Sequence, residues 1–69
     1  GNLVKQWLDQ SLSTEAIIER IYLRALARKP TAEEQSQLVK VVADSINQQQ
    51  GLEDVFWAVL NSREFIFNH

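Results

Sequence analysis

Apolar side chains recur along the chain at the three- and four-residue spacing of amphipathic helices. The first segment with this spacing begins after Asn2, a residue type that caps helix N-termini. Its apolar positions are Leu3, Val4, Trp7 and Leu8. A polar break from Ser11 to Thr14 follows. The pattern therefore predicts a short first helix and then a turn.

The second apolar segment is longer, and Ser13 or Thr14 can cap its start. At 100° per residue its apolar positions form one arc. The arc consists of Ile18, Ile21, Tyr22, Ala25 and Leu26. Ile17 and Leu23 fall outside it, which predicts that this helix contacts more than one neighbour. The helix must end before Pro30, because proline disfavours helical geometry at the preceding residue.

The third helix has the clearest start signal in the chain. The segment Thr31-Ala32-Glu33-Glu34 has the form of a capping box, in which Thr31 caps and Glu34 reaches back to the Thr31 N–H. Its apolar arc holds Leu38, Val39, Val41, Val42, Ser45 and Ile46. This pattern predicts a helix to about Gln48, after which Gly51 suits a left-handed helix stop.

Aromatic residues concentrate in the last segment, from Glu53 to His69, which holds all three phenylalanines and one of the two tryptophans. Aromatic side chains bury large areas, so this segment is predicted to anchor the core. The apolar arc of the predicted fourth helix holds Leu52, Val55, Phe56, Val59 and Leu60, with Trp57 at the edge. Asn61 lies three residues before Glu64, which predicts a break and one short final turn.

Four such segments with short connections predict an all-α fold, a compact four-helix bundle with a short C-terminal helical turn. With 69 residues, the chain has room for one helical domain over residues 1–69. The predicted core anchors are Tyr22, Leu26, Leu38, Val42, Phe56, Trp57, Leu60 and Phe65. The chain begins with glycine and contains no methionine, so we interpret it as the C-terminal fragment of a larger protein.

Composition argues against several classes of function. The chain has no cysteine, which excludes a disulfide, a thiolate zinc site and a haem-attachment motif. His69 is the only histidine, so we expect no metal site and no cofactor. A net charge of −2 argues against a nucleic-acid partner. No apolar run reaches the ~20 residues of a membrane span.

Three arginines form a basic row opposite the apolar arc of the second helix: Arg20, Arg24 and Arg28. Arginine favours bidentate contacts with carboxylates and phosphates, so the row is a possible interaction site. The alternative is a solvated face in which each arginine pairs with an acidic neighbour, and such exposed pairs contribute only ~0–1 kcal/mol. The candidate neighbours are Glu19, Asp54 and Glu64.

One serine invites comparison with a carrier domain. Asp44-Ser45-Ile46 is similar to the D-S-L segment of acyl carrier proteins, in which the serine carries a phosphopantetheine arm at the exposed start of a helix. Ser45 instead lies in the middle of a predicted apolar arc. A buried serine that bonds back to a helix carbonyl is therefore the preferred interpretation.

Two longer patterns carry a family resemblance. R-x-P-T-x-x-E is formed by Arg28, Pro30, Thr31 and Glu34. E-D-x-x-W-A-V-L-N-S-x-E-F-x-x-N-H is formed by Glu53, Asp54, Trp57, Ala58, Val59, Leu60, Asn61, Ser62, Glu64, Phe65, Asn68 and His69. Together they resemble the C-terminal end of a planctomycete-specific domain of unknown function, number fifteen-fifty-three in its series. Val59 stands where that family usually has leucine.

The resemblance implies a larger parent protein that is exported or belongs to the cell envelope. It implies no activity, because none is established for the family. A shorter Y-x-x-x-L-x-R-x-P pattern is similar to helical linker-type domains that serve assembly. It is formed by Tyr22, Leu26, Arg28 and Pro30.

These observations predict a non-catalytic structural or protein-interaction module, whose partner is the remainder of the parent protein or another protein. The first alternative is a composite active or binding site completed by the parent chain. Arg24, Arg28, Glu64 or His69 would contribute to it. The second alternative is an acyl-carrier-like domain that uses Ser45.

Overall fold

A computed structural model of the chain describes residues 3–66, and the side chains of residues 3–61. Residues 3–66 form four helices and no strand, so the predicted all-α, four-helix class is confirmed. The helices are α1 (Leu3–Asp9), α2 (Thr14–Leu26), α3 (Ala32–Ala43) and α4 (Gln48–Ile66). α4 packs against each of the other three, and its largest contact is with α2.

Side-chain caps explain where α2 and α3 begin. Of the two candidate caps for α2, the structure selects Ser13, whose Oγ accepts a hydrogen bond from the Ala16 N–H at 3.1 Å. The predicted capping box of α3 is present in both directions. Thr31 Oγ1 accepts from the Glu34 N–H at 3.1 Å, and Glu34 Oε1 accepts from the Thr31 N–H at 2.8 Å.

The third helix ends earlier than predicted. α3 stops at Ala43 instead of continuing to about Gln48. The Ser45 hydroxyl lies within hydrogen-bond distance of the carbonyl oxygens of Val42 and Asn47 and donates to one at a time. The Asn47 side chain then accepts from the Gln50 N–H at 2.8 Å, as a helix cap does. Local side-chain bonds therefore replace the helix pattern between α3 and α4.

Gly51 is not the predicted left-handed stop, because it lies inside α4 with no positive φ. It is buried where α4 crosses the end of α3. A Cβ placed there would lie 3.0 Å from both Val42 Cα and Ser45 Cβ, and closer still to Ser45 Oγ. The glycine therefore permits a close approach of two helices. Left-handed residues instead follow α1 and α2: Ser11 with φ 64° and Ala27 with φ 59°.

The predicted final turn is helical, but it continues α4 without a break. Asn61 does not cap a new helix. Its Nδ2 donates to the Trp57 carbonyl at 2.8 Å, a bond to the preceding turn of the same helix. α4 therefore runs uninterrupted from Gln48 to Ile66.

The core lies between α2 and α4 and is closed by α1 and α3. Its buried side chains are Val4, Trp7, Ile17, Ile18, Ile21, Tyr22, Ala25, Val42, Leu52, Val55 and Val59. Ile17 is fully buried although it falls outside the predicted arc of α2, because α2 contacts all three other helices and needs a wider apolar face. Leu23, the other residue outside the arc, is exposed.

The predicted core anchors divide into three groups. Tyr22 and Val42 are buried, and three more pack against the core while remaining partly exposed: Leu26, Leu38 and Phe56. Trp57 and Leu60 are wrong as core anchors, with exposures of 65% and 40%. Phe65 lies outside the residues whose side chains are described.

The helical repeat explains why Trp57 is exposed. Trp57 lies two residues from both Val55 and Val59, so at 100° per residue it points about 160° away from each. Val55 and Val59 are both buried, which leaves Trp57 on the opposite side of α4. Trp57, which the sequence placed at the edge of the apolar arc, therefore lies on the exposed side of α4.

Candidate interaction surface

An open apolar groove of about 470 Å³ lies between α1 and α4. This surface is the α1–α4 groove. Its lining residues are Leu3 and Val4 from α1, and Glu53, Phe56, Trp57 and Leu60 from α4. Two of them, Trp57 and Leu60, are among the large apolar side chains that remain exposed in the described part of the chain.

The lengths of the two helices explain why the groove stays open. α1 has 7 residues and α4 has 19, which correspond to lengths of about 10 Å and about 28 Å. α1 therefore covers only part of the face that α4 presents. An aromatic stack holds α1 in place: the rings of Trp7 and Phe56 lie 6.1 Å apart with an interplanar angle of 25°. The stack thus holds Phe56, one wall of the groove, against the core residue Trp7.

The polar edge of the groove is Glu53. This carboxylate is half-buried, and its Oε2 accepts a hydrogen bond from Gln49 Nε2 at 3.0 Å. Among the described residues that line the groove, Glu53 is the charged one. The neighbouring Asp54 makes a similar bond, from Gln50 Nε2 to Oδ1 at 3.0 Å, but it is exposed and does not line the groove.

A second, smaller cavity of about 390 Å³ lies beside the turn between α3 and α4. Its wall includes Val42, Ser45 and Ile46, and Ile46 is 93% exposed. A bond from Gln48 Nε2 to Thr14 Oγ1 at 2.9 Å joins the starts of α4 and α2 beside it. This cavity offers one large exposed apolar side chain, Ile46, whereas the α1–α4 groove offers two close to each other on one helix, Trp57 and Leu60.

The predicted arginine row is divided by the end of α2. Arg20 and Arg24 are exposed on the helix. Arg28 follows the left-handed residue Ala27, and its side chain forms a bidentate ion pair with Glu34 of α3. Its Nη1 and Nη2 donate to Glu34 Oε1 and Oε2 at 3.0 and 3.1 Å.

Arg28 also contacts two other groups in this turn. Its guanidinium carbon lies 5.2 Å from the centre of the Tyr22 ring, and its Nη1 is 3.0 Å from the Lys29 carbonyl oxygen. The expected partners Glu19 and Asp54 are not used by Arg28, and the side chain of Glu64 lies outside the described residues. The sequence already marked Glu34 as a capping residue, but it gave no sign that the same carboxylate pairs with Arg28.

The electrostatics of this cluster follow from the arginine. Hydrogen bonding to Arg28 lowers the pKa of Glu34 to about 2, against a smaller opposing effect of burial. Burial and the nearby Glu34 charge raise the pKa of Tyr22 above its ordinary value. Bonds to Arg28 and to Thr31 thus hold Glu34 in its charged form, a strong and geometrically specific arrangement. Arg28, Thr31 and Glu34 therefore fix the turn between α2 and α3.

Ser45 was predicted to lie inside a continuous helix. It lies instead in the turn between α3 and α4. Its hydroxyl is half-buried and bonds to carbonyl oxygens of the turn. α4 begins three residues later, at Gln48. The hydroxyl therefore has structural partners in this turn, the Val42 carbonyl three residues back and the Asn47 carbonyl two residues ahead, instead of the helix carbonyl that the preferred interpretation expected.

Metal-binding clusters and membrane-spanning helices are both absent from the part of the chain that the structure describes. No group of three or more His, Cys, Asp or Glu residues there is placed to hold a metal ion. None of the helices over residues 3–66 is long and apolar enough to cross a membrane. The side chains of Glu64 and His69, named for a composite site, lie outside the described residues.

Comparison with known proteins gives no relative: no protein-family model, no curated protein and no solved structure matches this chain. The resemblance to the planctomycete-specific domain therefore stays a prediction. The sequence did not indicate the α1–α4 groove, which is the candidate interaction surface of the described residues. The available signal was the angular position of Trp57, which placed it at the boundary of the α4 arc.

Proposed function

We propose that this chain is a non-catalytic structural or protein-interaction module, and that the α1–α4 groove is its contact surface. The observation that carries the proposal is Trp57, which stays 65% exposed at the groove. Exposed apolar patches on soluble domains mark partner sites. Tryptophan is also enriched among the few residues that dominate the energy of protein interfaces.

The construction of the groove supports this proposal. Phe56 is fixed by its stack on Trp7, and Val4 belongs to the buried core. A partner would therefore meet a surface whose floor is already ordered. Binding to such a surface costs less conformational entropy than binding to a loop.

The proposed partner is the remainder of a larger parent protein or another protein. The resemblance of the Arg28–Glu34 and Glu53–His69 segments to the planctomycete-specific domain supports a larger, exported parent. The first of these segments has a structural role in the fold, because Arg28 and Glu34 fix the turn between α2 and α3. Arg28 is thus engaged within the fold, and the proposed contact surface is instead the groove that α1 and α4 form.

Site-directed photo-crosslinking in the native cell tests this proposal. A photoreactive amino acid with an aromatic side chain replaces Trp57, so that an aromatic ring stays in the groove, and mass spectrometry maps the crosslinked segment. We expect one discrete segment, either in the parent chain or in another protein. The matched control places the same amino acid at Ile46, which is exposed beside the second cavity. Crosslinking at position 46 but not at position 57 would refute the groove as the contact surface.

A further inference from the structure

We infer that the α1–α4 groove binds an amphipathic helix of the partner, and that Glu53 and Trp57 together receive an arginine or lysine of that helix. This inference rests on the proposed function and adds the chemistry of the partner to it.

The first argument is the shape of the surface. Glu53, Trp57 and Leu60 follow the i, i+4, i+7 spacing of one helical face, and all three line the groove. Leu3 and Val4 on α1 form the facing wall. A groove between two packed helices, with exposed apolar side chains on one helical face, fits the apolar face of a third helix.

The second argument is the pairing of a carboxylate with an aromatic face. Glu53 and Trp57 are four residues apart, about 6 Å along the helix axis, so both can contact one cation. Gln49 Nε2 donates a hydrogen bond to Glu53 Oε2, while Glu53 Oε1 has no hydrogen-bond donor among the described residues. A guanidinium or ammonium group is attracted by the face of an exposed tryptophan and can donate to that oxygen.

The third argument is the sign of the charge. Glu53 is the charged lining residue of the described groove, while Asp54, the next residue, is exposed outside the groove. Lys5 on α1 is exposed but is not among the lining residues. The chain as a whole has a net charge of −2. An acidic helix would therefore be repelled at the groove, and a basic one attracted.

The test uses a displayed library of helical peptides, about three turns long, with random residues on one face. Selection on the wild-type domain is followed by counter-selection on Trp57→Ala, so that only groove binders remain. We expect the enriched peptides to carry large apolar residues at helical spacing together with an arginine or lysine. Fluorescence anisotropy with the best peptide then measures affinity for each variant.

Two variants separate the specific carboxylate from general charge. We expect Glu53→Gln to weaken binding about three- to tenfold, through loss of the ion pair beside the ring. Asp54→Asn is the matched control: it removes one charge from the neighbouring residue, which makes the same kind of glutamine bond but lies outside the groove. We expect it to change affinity by less than about twofold, because exposed charges are strongly screened.

The possible outcomes distinguish the two proposals. Groove binders without an excess of basic residues, or equal affinities for Glu53→Gln and the wild type, would overturn the inferred partner chemistry and leave the groove as a contact surface. If no enriched peptide depends on Trp57, both the groove and the inferred partner are refuted. Circular dichroism melts of each variant verify that the fold is retained.

Discussion

Replacement of Gly51 with alanine should destabilise the fold, although alanine is the better helix former. In an unobstructed helix the change from glycine to alanine stabilises by ~1 kcal/mol. Here the new Cβ would meet Val42 Cα and Ser45 Cβ at 3.0 Å. Ordinary contact begins at 3.4 Å, so α3 and α4 must separate locally by about 0.4 Å.

The magnitude follows from three opposing effects. Overpacking costs ~1–3 kcal/mol, and displacement of the Ser45 hydroxyl from its turn bond costs ~1 kcal/mol. The gain in helix propensity returns ~1 kcal/mol. We therefore expect Gly51→Ala to lower the free energy of unfolding by roughly 1–3 kcal/mol. For a domain of this size, each 1 kcal/mol corresponds to a fall of ~4–8 °C in Tm.

Urea unfolding followed by circular dichroism measures this change, and a double-mutant cycle with Ser45→Ala assigns it to the contact. In the Ser45→Ala background the clash with Oγ is absent, so the cost of Gly51→Ala should fall by ~1 kcal/mol. Gln50→Ala, at the exposed adjacent position, should stay within ~0.5 kcal/mol of the wild type. A Gly51→Ala variant that is more stable than the wild type by ~1 kcal/mol would show that no close approach exists there.

Four further substitutions test the turn and the core. The pKa of Glu34 is lowered by its bonds in the folded state. Its contribution to the free energy of unfolding is therefore fully present above the ordinary glutamate pKa of ~4.3 and is lost as the pH falls through about 2. Because Arg28 and Glu34 remain 34% and 27% exposed, solvent screening limits the cost of Glu34→Gln at pH 7 to ~1–2 kcal/mol. In urea titrations the difference in free energy of unfolding between the wild type and Glu34→Gln should decrease as the pH falls from about 4.5 to 2. A difference that stays constant over this range would contradict the pairing of Glu34 with Arg28. Trp57→Ala should cost less than ~1 kcal/mol and Ile18→Ala ~2–5 kcal/mol in the same assay; the reverse order would place Trp57 in the core. Thr31→Ala should cost ~1 kcal/mol through the lost cap, and an unchanged midpoint would argue against the capping box.

The sequence predicted those features that depend on neighbouring residues. The capping box at Thr31 and Glu34 needs only a four-residue pattern, and the structure has it. The end of α2 before Pro30 is likewise local. Tyr22 and Val42 lie near the middle of wide apolar arcs, so small errors in helix rotation did not affect their predicted burial.

The features that were missed depend on contacts between distant parts of the chain. The apolar period continues through Ser45 and Ile46, so periodicity alone could not show that the Ser45 hydroxyl ends α3. Gly51 was predicted as a stop because glycine suits one, whereas its role comes from α3 passing beside it. The α1–α4 groove depends on the short length of α1 relative to α4, which no single segment reveals.

The central position of α4 has a consequence for protein synthesis. α4 contacts α1, α2 and α3, and it supplies Leu52, Val55 and Val59 to the core. Ribosomes add ~5–20 residues per second, so the 19 residues of α4 take roughly 1–4 s to appear. During that time the apolar faces of the earlier helices have no completed core to enter. The nascent chain is therefore most open to chaperones and to aggregation just before α4 emerges.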